Sequence, residues 1–276
     1  MIGTSTPTLI LQPEAYSWVE EFHAFTLFHY LVLAICIASF ILFSIVGKRL
    51  LRHDLVSGTH YERTFRHVLA WSIILSQAFF FVRRLTPSHW DIQDSLPMHL
   101  CRWMVWIAAW ALLTHNRRMR AFLLFGGIGL STQAFFSPMI TYGVGSMGFW
   151  IYWINHTQIV GAAIYDLSVL GYRPTRKDLQ IAILWGTAYA VFTVAMNLML
   201  ETNYSYLGRG AHQQSSIVDQ LGLFPGRVVW MILGAWLIFG FIYSVSKLML
   251  IIRTRVFKLD PPLMIGQVDS DSHQNH

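Results

Sequence analysis

The chain has 276 residues, of which 54% are hydrophobic and only 12% are charged, and its mean hydropathy is +0.46. A soluble domain carries about 25% charged residues, so this composition excludes a water-soluble globular protein. The formal net charge of +6 requires no nucleic-acid partner, because the basic residues flank apolar runs, where they are attracted to anionic lipid headgroups.

Seven long apolar runs follow one another along the chain, and each is near or above the roughly 17–25 residues that cross a bilayer. Their limits are 25–46, 67–82, 98–114, 119–139, 147–171, 179–200 and 228–252. None shows the alternation typical of outer-membrane β-strands. The sequence therefore predicts an all-α polytopic membrane bundle of seven transmembrane helices, contained in a domain over 25–252.

The basic residues predict how the bundle is oriented, because cytosolic loops are enriched in Lys and Arg. Fifteen of the 20 lie at the ends of the runs that are expected to be cytosolic or in the loops beyond them, and five lie on the other side. We therefore expect 1–24 to be an external segment and 253–276 to be a cytosolic, disordered tail, in a protein of the plasma membrane. Segment 48–66 is expected to be the longest inner loop, and 201–227 an ordered external loop.

Polar side chains occur inside several runs, where each is costly unless it faces a partner or a water-filled cavity. They collect in the expected outer halves of five helices, which predicts a polar cavity that opens outward. The candidate site residues are His99, Cys101, Arg102, Gln133, Asn155, His156, Asn197, Glu201, Asn203 and Tyr204.

Each of these residues also has a structural interpretation. Interhelical hydrogen bonding is the simpler interpretation for several hydroxyls and amides: Ser76, Gln77 and Ser131–Gln133. His99, at a helix start, is equally compatible with capping or with bonding a loop carbonyl. Arg102 is compatible with reaching the headgroups or with holding a lipid phosphate. His156 lies near mid-bilayer, where a histidine needs a partner, and a functional role is favoured there.

Several short motifs resemble those of one known family. They are PMHLC at 97–101, LLTHNRR at 112–118, NH at 155–156, ETNYSYL at 201–207 and LGLFP at 221–225. On these motifs the chain resembles the YwaF-type integral membrane proteins of bacteria, which are related to the eukaryotic transmembrane-protein-164 acyltransferases. The resemblance extends from about residue 25 to residue 250. It implies that fatty acyl chains move between membrane phospholipids through a cysteine acyl intermediate, with a histidine assisting.

Applied to this chain, the resemblance implies Cys101 as the nucleophile and His156 or His99 as the base. The other polar candidates would then bind the lipid, with Asn or Gln side chains on the developing oxyanion. In the eukaryotic pattern a cysteine directly precedes the histidine, whereas Met98 precedes His99 here. Attack by water or a lipid hydroxyl, with both histidines as bases and no thiol, therefore stays open.

Two other function classes are weighed against acyl transfer. The alternative from a different class is a small-ligand transporter or a receptor-like membrane binding protein, although no run is broken by paired Gly and Pro as in many carriers. Metal binding by His99, His156 and Glu201 lacks a compact ligand motif. We therefore expect neither a metal nor another cofactor, and membrane phospholipids as the partners.

Overall fold

The computed structural model describes residues 17–210, 217–252 and 255, and this part of the chain is helical without a β-strand. The residues 1–16 of the expected external segment and nearly all of the expected tail lie outside the described residues. The helices are α1 (Ser17–Glu20), α2 (Leu27–Ser57), α3 (Tyr61–Arg84), α4 (Ile92–Ser95), α5 (Leu100–Thr114), α6 (Arg117–Phe122), a π-helical segment (Leu123–Ser131), α7 (Gln133–Phe136), α8 (Met147–Ser168), α9 (Arg176–Leu200) and α10 (Gly226–Ile251). Two 3₁₀ turns occupy Tyr204–Tyr206 and Ile217–Leu221.

Six helical stretches in the described ranges are long and apolar enough to cross a membrane. They are Leu27–Ser57, Tyr61–Arg84, Ile92–Thr114, Arg117–Phe136, Arg176–Leu200 and Gly226–Ile251. Large apolar side chains on these helices are widely exposed, among them Ile35, Leu184 and Leu237. A soluble monomer rarely exposes apolar patches of more than a few hundred Å². The chain is therefore a multi-pass helical membrane protein, as its sequence predicts.

The fifth expected span, 147–171, corresponds to α8 (Met147–Ser168), which is not among these six stretches and differs from them in character. Half of its 22 residues are buried, because it packs against α2, α5 and the π-helical segment. Its length of about 33 Å at 1.5 Å per residue is sufficient to cross the bilayer core. Asn155, His156 and Gln158 make α8 less apolar than the other helices. A helix surrounded by protein can accommodate such polar side chains, because they find partners there. The count of seven spans and the orientation stay predictions.

The prediction that 48–66 is an inner loop is wrong, because most of this segment is helical. The helix α2 continues through its basic segment to Ser57, and only three residues separate it from α3. Lys, Leu and Arg have high helix propensity, and the helix ends where Gly58 adopts a left-handed φ of 68°. The Asp54 carboxylate accepts hydrogen bonds from the N–H groups of Tyr61 (3.0 Å) and Glu62 (2.8 Å), which caps α3.

Buried ion pairs fix the helix ends on the side expected to be cytosolic. The Arg120 Nε atom lies 2.9 Å from Asp166 on α8, and the Arg66 Nε atom lies 3.2 Å from Glu62 one turn earlier on α3. The Tyr165 hydroxyl on α8 donates to Glu62 at 2.9 Å. These contacts hold α8 in a single register against α3 and α6, and they therefore position His156, which lies halfway along α8.

Candidate functional site

Cys101 and His156 contact each other in the centre of the bundle. Cys101 lies in the first turn of α5, and its Sγ atom is 3.2 Å from the Nε2 atom of His156 on α8. The Nδ1 atom of His156 lies 2.8 Å from the backbone carbonyl oxygen of Tyr152. Because a carbonyl oxygen only accepts, Nδ1 donates its proton there, and Nε2 of the neutral ring is left to accept from the thiol. We call these two residues the Cys101–His156 pair.

Ser131, the last residue of the π-helical segment, lies beside this pair. Its side chain is buried, its hydroxyl donates to the carbonyl oxygen of Gly126 at 3.1 Å, and it lies near the Cys101 thiol. Short π-helical segments occur often at functional sites. Interhelical hydrogen bonding is the simpler interpretation of Ser131 from the sequence, and no sequence signal distinguishes this residue, because its proximity to Cys101 arises only in the folded protein.

The backbone around Cys101 provides an unpaired hydrogen-bond donor. The N–H of Leu100 donates to the Ser205 hydroxyl and the N–H of Arg102 donates to the His99 carbonyl, each at 3.0 Å. Within the described ranges the Cys101 N–H makes no hydrogen bond to another protein group. N–H groups in the first turn of a helix have no intrahelical acceptor, and they favour nearby negative charge. A negative charge that develops at Cys101 can therefore be stabilised by its own amide.

Two tyrosine side chains lie close to the Cys101–His156 pair. The ring centroid of Tyr152 lies 4.4 Å from that of His156, and its hydroxyl donates to the Ala134 carbonyl at 3.0 Å. Burial, together with the charge that Cys101 can carry, raises the pKa of Tyr206 to about 12. The Tyr206 phenol therefore stays protonated at neutral pH. Cys101 as a whole residue is half-buried.

His99 is held by two loop segments. Its Nδ1 atom accepts a hydrogen bond from the N–H of Ser205, and its Nε2 atom lies near the carbonyl oxygen of Gln93, both at 3.3 Å. Its ring meets that of Tyr204 edge to face at 5.4 Å. Both ring nitrogens thus contact backbone groups, and His99 joins the segments 92–99 and 201–210. We call these two segments the loop cap.

Three further candidates hold the loop cap together. The Asn197 Oδ1 atom accepts from the N–H of Tyr204 at 2.7 Å, and its Nδ2 atom donates to the carbonyl of the same residue at 3.1 Å. Tyr204 is fully buried, and its phenol donates to the carbonyl oxygen of Ile92. The N–H of Asn203 donates to the Gln93 side chain at 3.1 Å. These residues contact protein groups above the Cys101–His156 pair.

The remaining candidates also lie apart from the sulfur. The Arg102 guanidinium pairs with the Asp94 carboxylate and donates to the backbone carbonyl of the same residue. The Asn155 Oδ1 atom accepts from Gln77 Nε2 at 2.7 Å, which joins α8 to α3. Gln133 and Glu201 are exposed. Over the described residues, no three His, Cys, Asp or Glu side chains lie close enough together to hold a metal ion.

The arrangement has the parts that nucleophilic catalysis requires. A thiol faces an imidazole, a backbone carbonyl orients that imidazole, and a free N–H lies beside the sulfur. The TMEM164 family matches residues 18–243 of this chain, a stretch that includes the Cys101–His156 pair and the described loop cap. No curated protein and no solved structure matches the chain.

Proposed function

This chain belongs to the TMEM164 family, and we propose that it is an acyl-transfer enzyme that takes a fatty acyl chain from a membrane phospholipid onto Cys101. The observation that carries the proposal is the 3.2 Å distance between Cys101 Sγ and His156 Nε2, with Nδ1 of the same ring held by the Tyr152 carbonyl. A nucleophile within hydrogen-bond reach of a base, itself oriented by a third group, is typical of covalent catalysis.

In the first half-reaction the Cys101 proton moves to His156 Nε2 while the sulfur attacks the ester carbonyl carbon of the donor lipid. A carbon–sulfur bond forms, and the carbonyl oxygen gains negative charge in a tetrahedral intermediate. The intermediate collapses as the carbon–oxygen ester bond breaks. His156 returns its proton to the leaving alkoxide, so the products are a thioester on Cys101 and a lysolipid with a free hydroxyl.

The second half-reaction reverses these steps with a different lipid. The hydroxyl of an acceptor lipid gives its proton to His156 as its oxygen attacks the thioester carbonyl carbon. The new carbon–oxygen bond forms, the carbon–sulfur bond breaks, and His156 protonates the departing sulfur. The free thiol is restored, and the acyl chain has moved between two lipids without consuming another reactant.

The oxyanion of both intermediates is stabilised by the backbone N–H of Cys101, which lies at the amino end of α5. Donors that are already oriented toward a developing charge are worth about 10²–10³-fold in rate each. The Ser131 hydroxyl beside the sulfur would become a second donor if it turned away from the Gly126 carbonyl, to which it donates at 3.1 Å. The first-turn N–H groups of a helix of 15 residues add a favourable field at this point.

Among the two candidate histidines we assign the base role to His156. Its Nε2 atom faces the sulfur, whereas both ring nitrogens of His99 contact backbone groups of the loop cap. In the predicted orientation the Cys101–His156 pair lies in the outer half of the plasma membrane, and the donor lipid comes from the outer leaflet. Arg102, Asn197 and Asn203 would then shape the cap over the site rather than bind substrate directly.

Trapping the thioester tests this function. Purified protein in phosphatidylcholine vesicles that contain a phosphatidylcholine with an alkyne-tagged acyl chain should acquire a protein-bound label that hydroxylamine removes. Cys101→Ala should lose the label, and Cys36→Ala, the matched control, should keep it. A Cys101→Ala protein that transfers acyl chains at the wild-type rate would overturn the covalent mechanism and leave base-assisted attack without a thiol.

A further inference from the structure

An apolar groove of about 290 Å³ runs along the membrane-facing side of the site. One wall is formed by Leu100 and Met104 of α5 with Gly126 of the π-helical segment. The other wall is formed by Gly186 and Tyr189 of α9 with Phe239 of α10. The groove opens at the surface between the exposed side chains of Trp103, Trp185 and Phe192. A molecule can therefore enter it sideways from the lipid.

The groove ends beside the Cys101–His156 pair. Of its lining residues, Leu100 directly precedes the nucleophile, and Met104 lies one turn after Cys101 on the same helix face. Gly126, another lining residue, accepts the Ser131 hydroxyl at its carbonyl, and Ser131 lies near Cys101. Tyr189 lines the same end, and its hydroxyl donates to the Met98 carbonyl at 2.6 Å. A chain that filled the groove would bring its upper end next to Cys101.

The dimensions of the groove match one aliphatic chain. Along α9 its lining extends from Ala182 to Phe192, about 15 Å at 1.5 Å per residue. The bilayer core is about 30 Å thick, so the groove is about as deep as one leaflet. Gly126 lets Met104 pack closely against the π-helical segment, because a Cβ atom there would lie 2.7 Å from the Met104 sulfur. Both residues line the groove, and the Met104 side chain fills the space beside the glycine.

From this position, depth and apolar lining we propose that the groove binds the acyl chain that is transferred, a single long aliphatic chain with its carbonyl end at Cys101. The inference rests on the proposed function and assigns its substrate-binding site. Gly186 then limits the chain length that the enzyme accepts. A Cβ atom at Gly186 would be 3.5 Å from the Phe239 ring, an ordinary contact, so larger side chains there fill the groove without displacing the backbone.

Photo-crosslinking locates the chain without requiring turnover. Cys101→Ala protein would be placed in phosphatidylcholine–phosphatidylglycerol vesicles containing phosphatidylcholine with a diazirine near the end of one acyl chain. We expect label on groove residues of α5, α9 and α10, measured relative to label on α2, which reports general lipid contact. Adding Gly186→Val should lower that ratio about tenfold or more, because each excluded methylene costs about fourfold in affinity. Gly234→Val, at a glycine with open space around it, should leave the ratio unchanged.

Acyl-length selectivity of the active protein provides the second readout. Gly186→Val should shift the preference toward shorter donor chains by about fourfold per methylene excluded, and Gly186→Ala should shift it less. Label in the groove without any thioester would support the groove and refute acyl transfer on Cys101. Acyl transfer with identical labelling and identical selectivity in the Gly186 and Gly234 variants would overturn the groove and leave the Cys101 mechanism intact.

Discussion

The Nε2 atom of His156 lies 3.2 Å from the Sγ atom of Cys101, although 55 residues separate them in the chain. Their helices, α5 and α8, pack closely through small buried residues such as Ala108 and Ala163. Small residues let helix backbones approach closely inside a membrane. The distance is therefore a consequence of how these two helices pack.

The two cysteines should react differently with a membrane-permeant alkylating reagent at neutral pH. Cys101 is half-buried, and His156 can take its proton, which yields the reactive thiolate. Cys36 is only 5% exposed, and its sulfur lies 3.2 Å from the Thr157 hydroxyl. Mass spectrometry after brief labelling should find the adduct on Cys101 and leave Cys36 unmodified. His156→Ala should slow the labelling, and equal labelling of both thiols would contradict the assignment.

Replacing the two histidines should separate chemistry from structure. His156→Ala removes the base, and thioester formation should slow by about 10²–10⁴-fold. His99→Ala removes two contacts with the loop cap and should cost about 1–3 kcal/mol of stability, seen as a lower unfolding midpoint. Its residual acylation rate should exceed that of His156→Ala. The reverse order of rates would make His99 the base.

The class of fold could be predicted because a helix that faces lipid needs apolar residues along its whole length, and a long apolar run is visible in the sequence. The structure confirms a multi-pass helical membrane protein, and helix ends such as Thr114 and Leu200 agree with the runs. The inner loop was predicted wrongly because a hydropathy run ends where charge begins, whereas α2 continues through Lys48 to Ser57. Hydropathy indicates which residues contact lipid, and a helix can continue beyond the residues that contact lipid.

The candidate site could be predicted only in part. The cost of a polar group at membrane depth singled out His156, and the family resemblance singled out Cys101. The same depth argument also selected His99 and Asn197. His99 and Asn197 form their hydrogen bonds with the loop backbone. The sequence does not reveal which partner a buried polar group binds. Ser131 had no distinguishing signal, because the π-helical segment that carries it cannot be read from apolar periodicity.

The orientation can be tested with reporter fusions. Fusions after Arg118 and after Lys258 should report a cytosolic position, and one placed between residues 209 and 220 should report an external one, because Lys and Arg collect on the cytosolic side. Arg66 and Arg120 are buried and ion-paired, so the charge asymmetry rests on the remaining exposed residues. A cytosolic reading from the 209–220 fusion would place the Cys101–His156 pair in the inner leaflet.

The stability of the fold should depend on pH through His115, which lies between two spans. Burial, reinforced by the nearby Arg66 and Arg120 guanidinium groups, lowers the pKa of His115 to about 3. In the unfolded chain a histidine has a pKa of about 6.5. As the pH falls below that value, His115 binds a proton in the unfolded state, whereas in the folded state it stays neutral until about pH 3. The contribution of His115 is thus complete above about pH 6.5 and declines toward pH 3.

His115→Asn is the matched variant for this test. His115 has a left-handed φ of 53°, and Asn tolerates that conformation better than most residues, so the helix end should be preserved. Unfolding midpoints measured in detergent at neutral pH and at about pH 5 should fall more in the wild type than in His115→Asn, because only the wild type has this unfolded-state proton to gain. If the unfolding midpoint fell equally in the wild type and in His115→Asn, His115 would be protonated in the folded protein, which would contradict its burial near the two arginines.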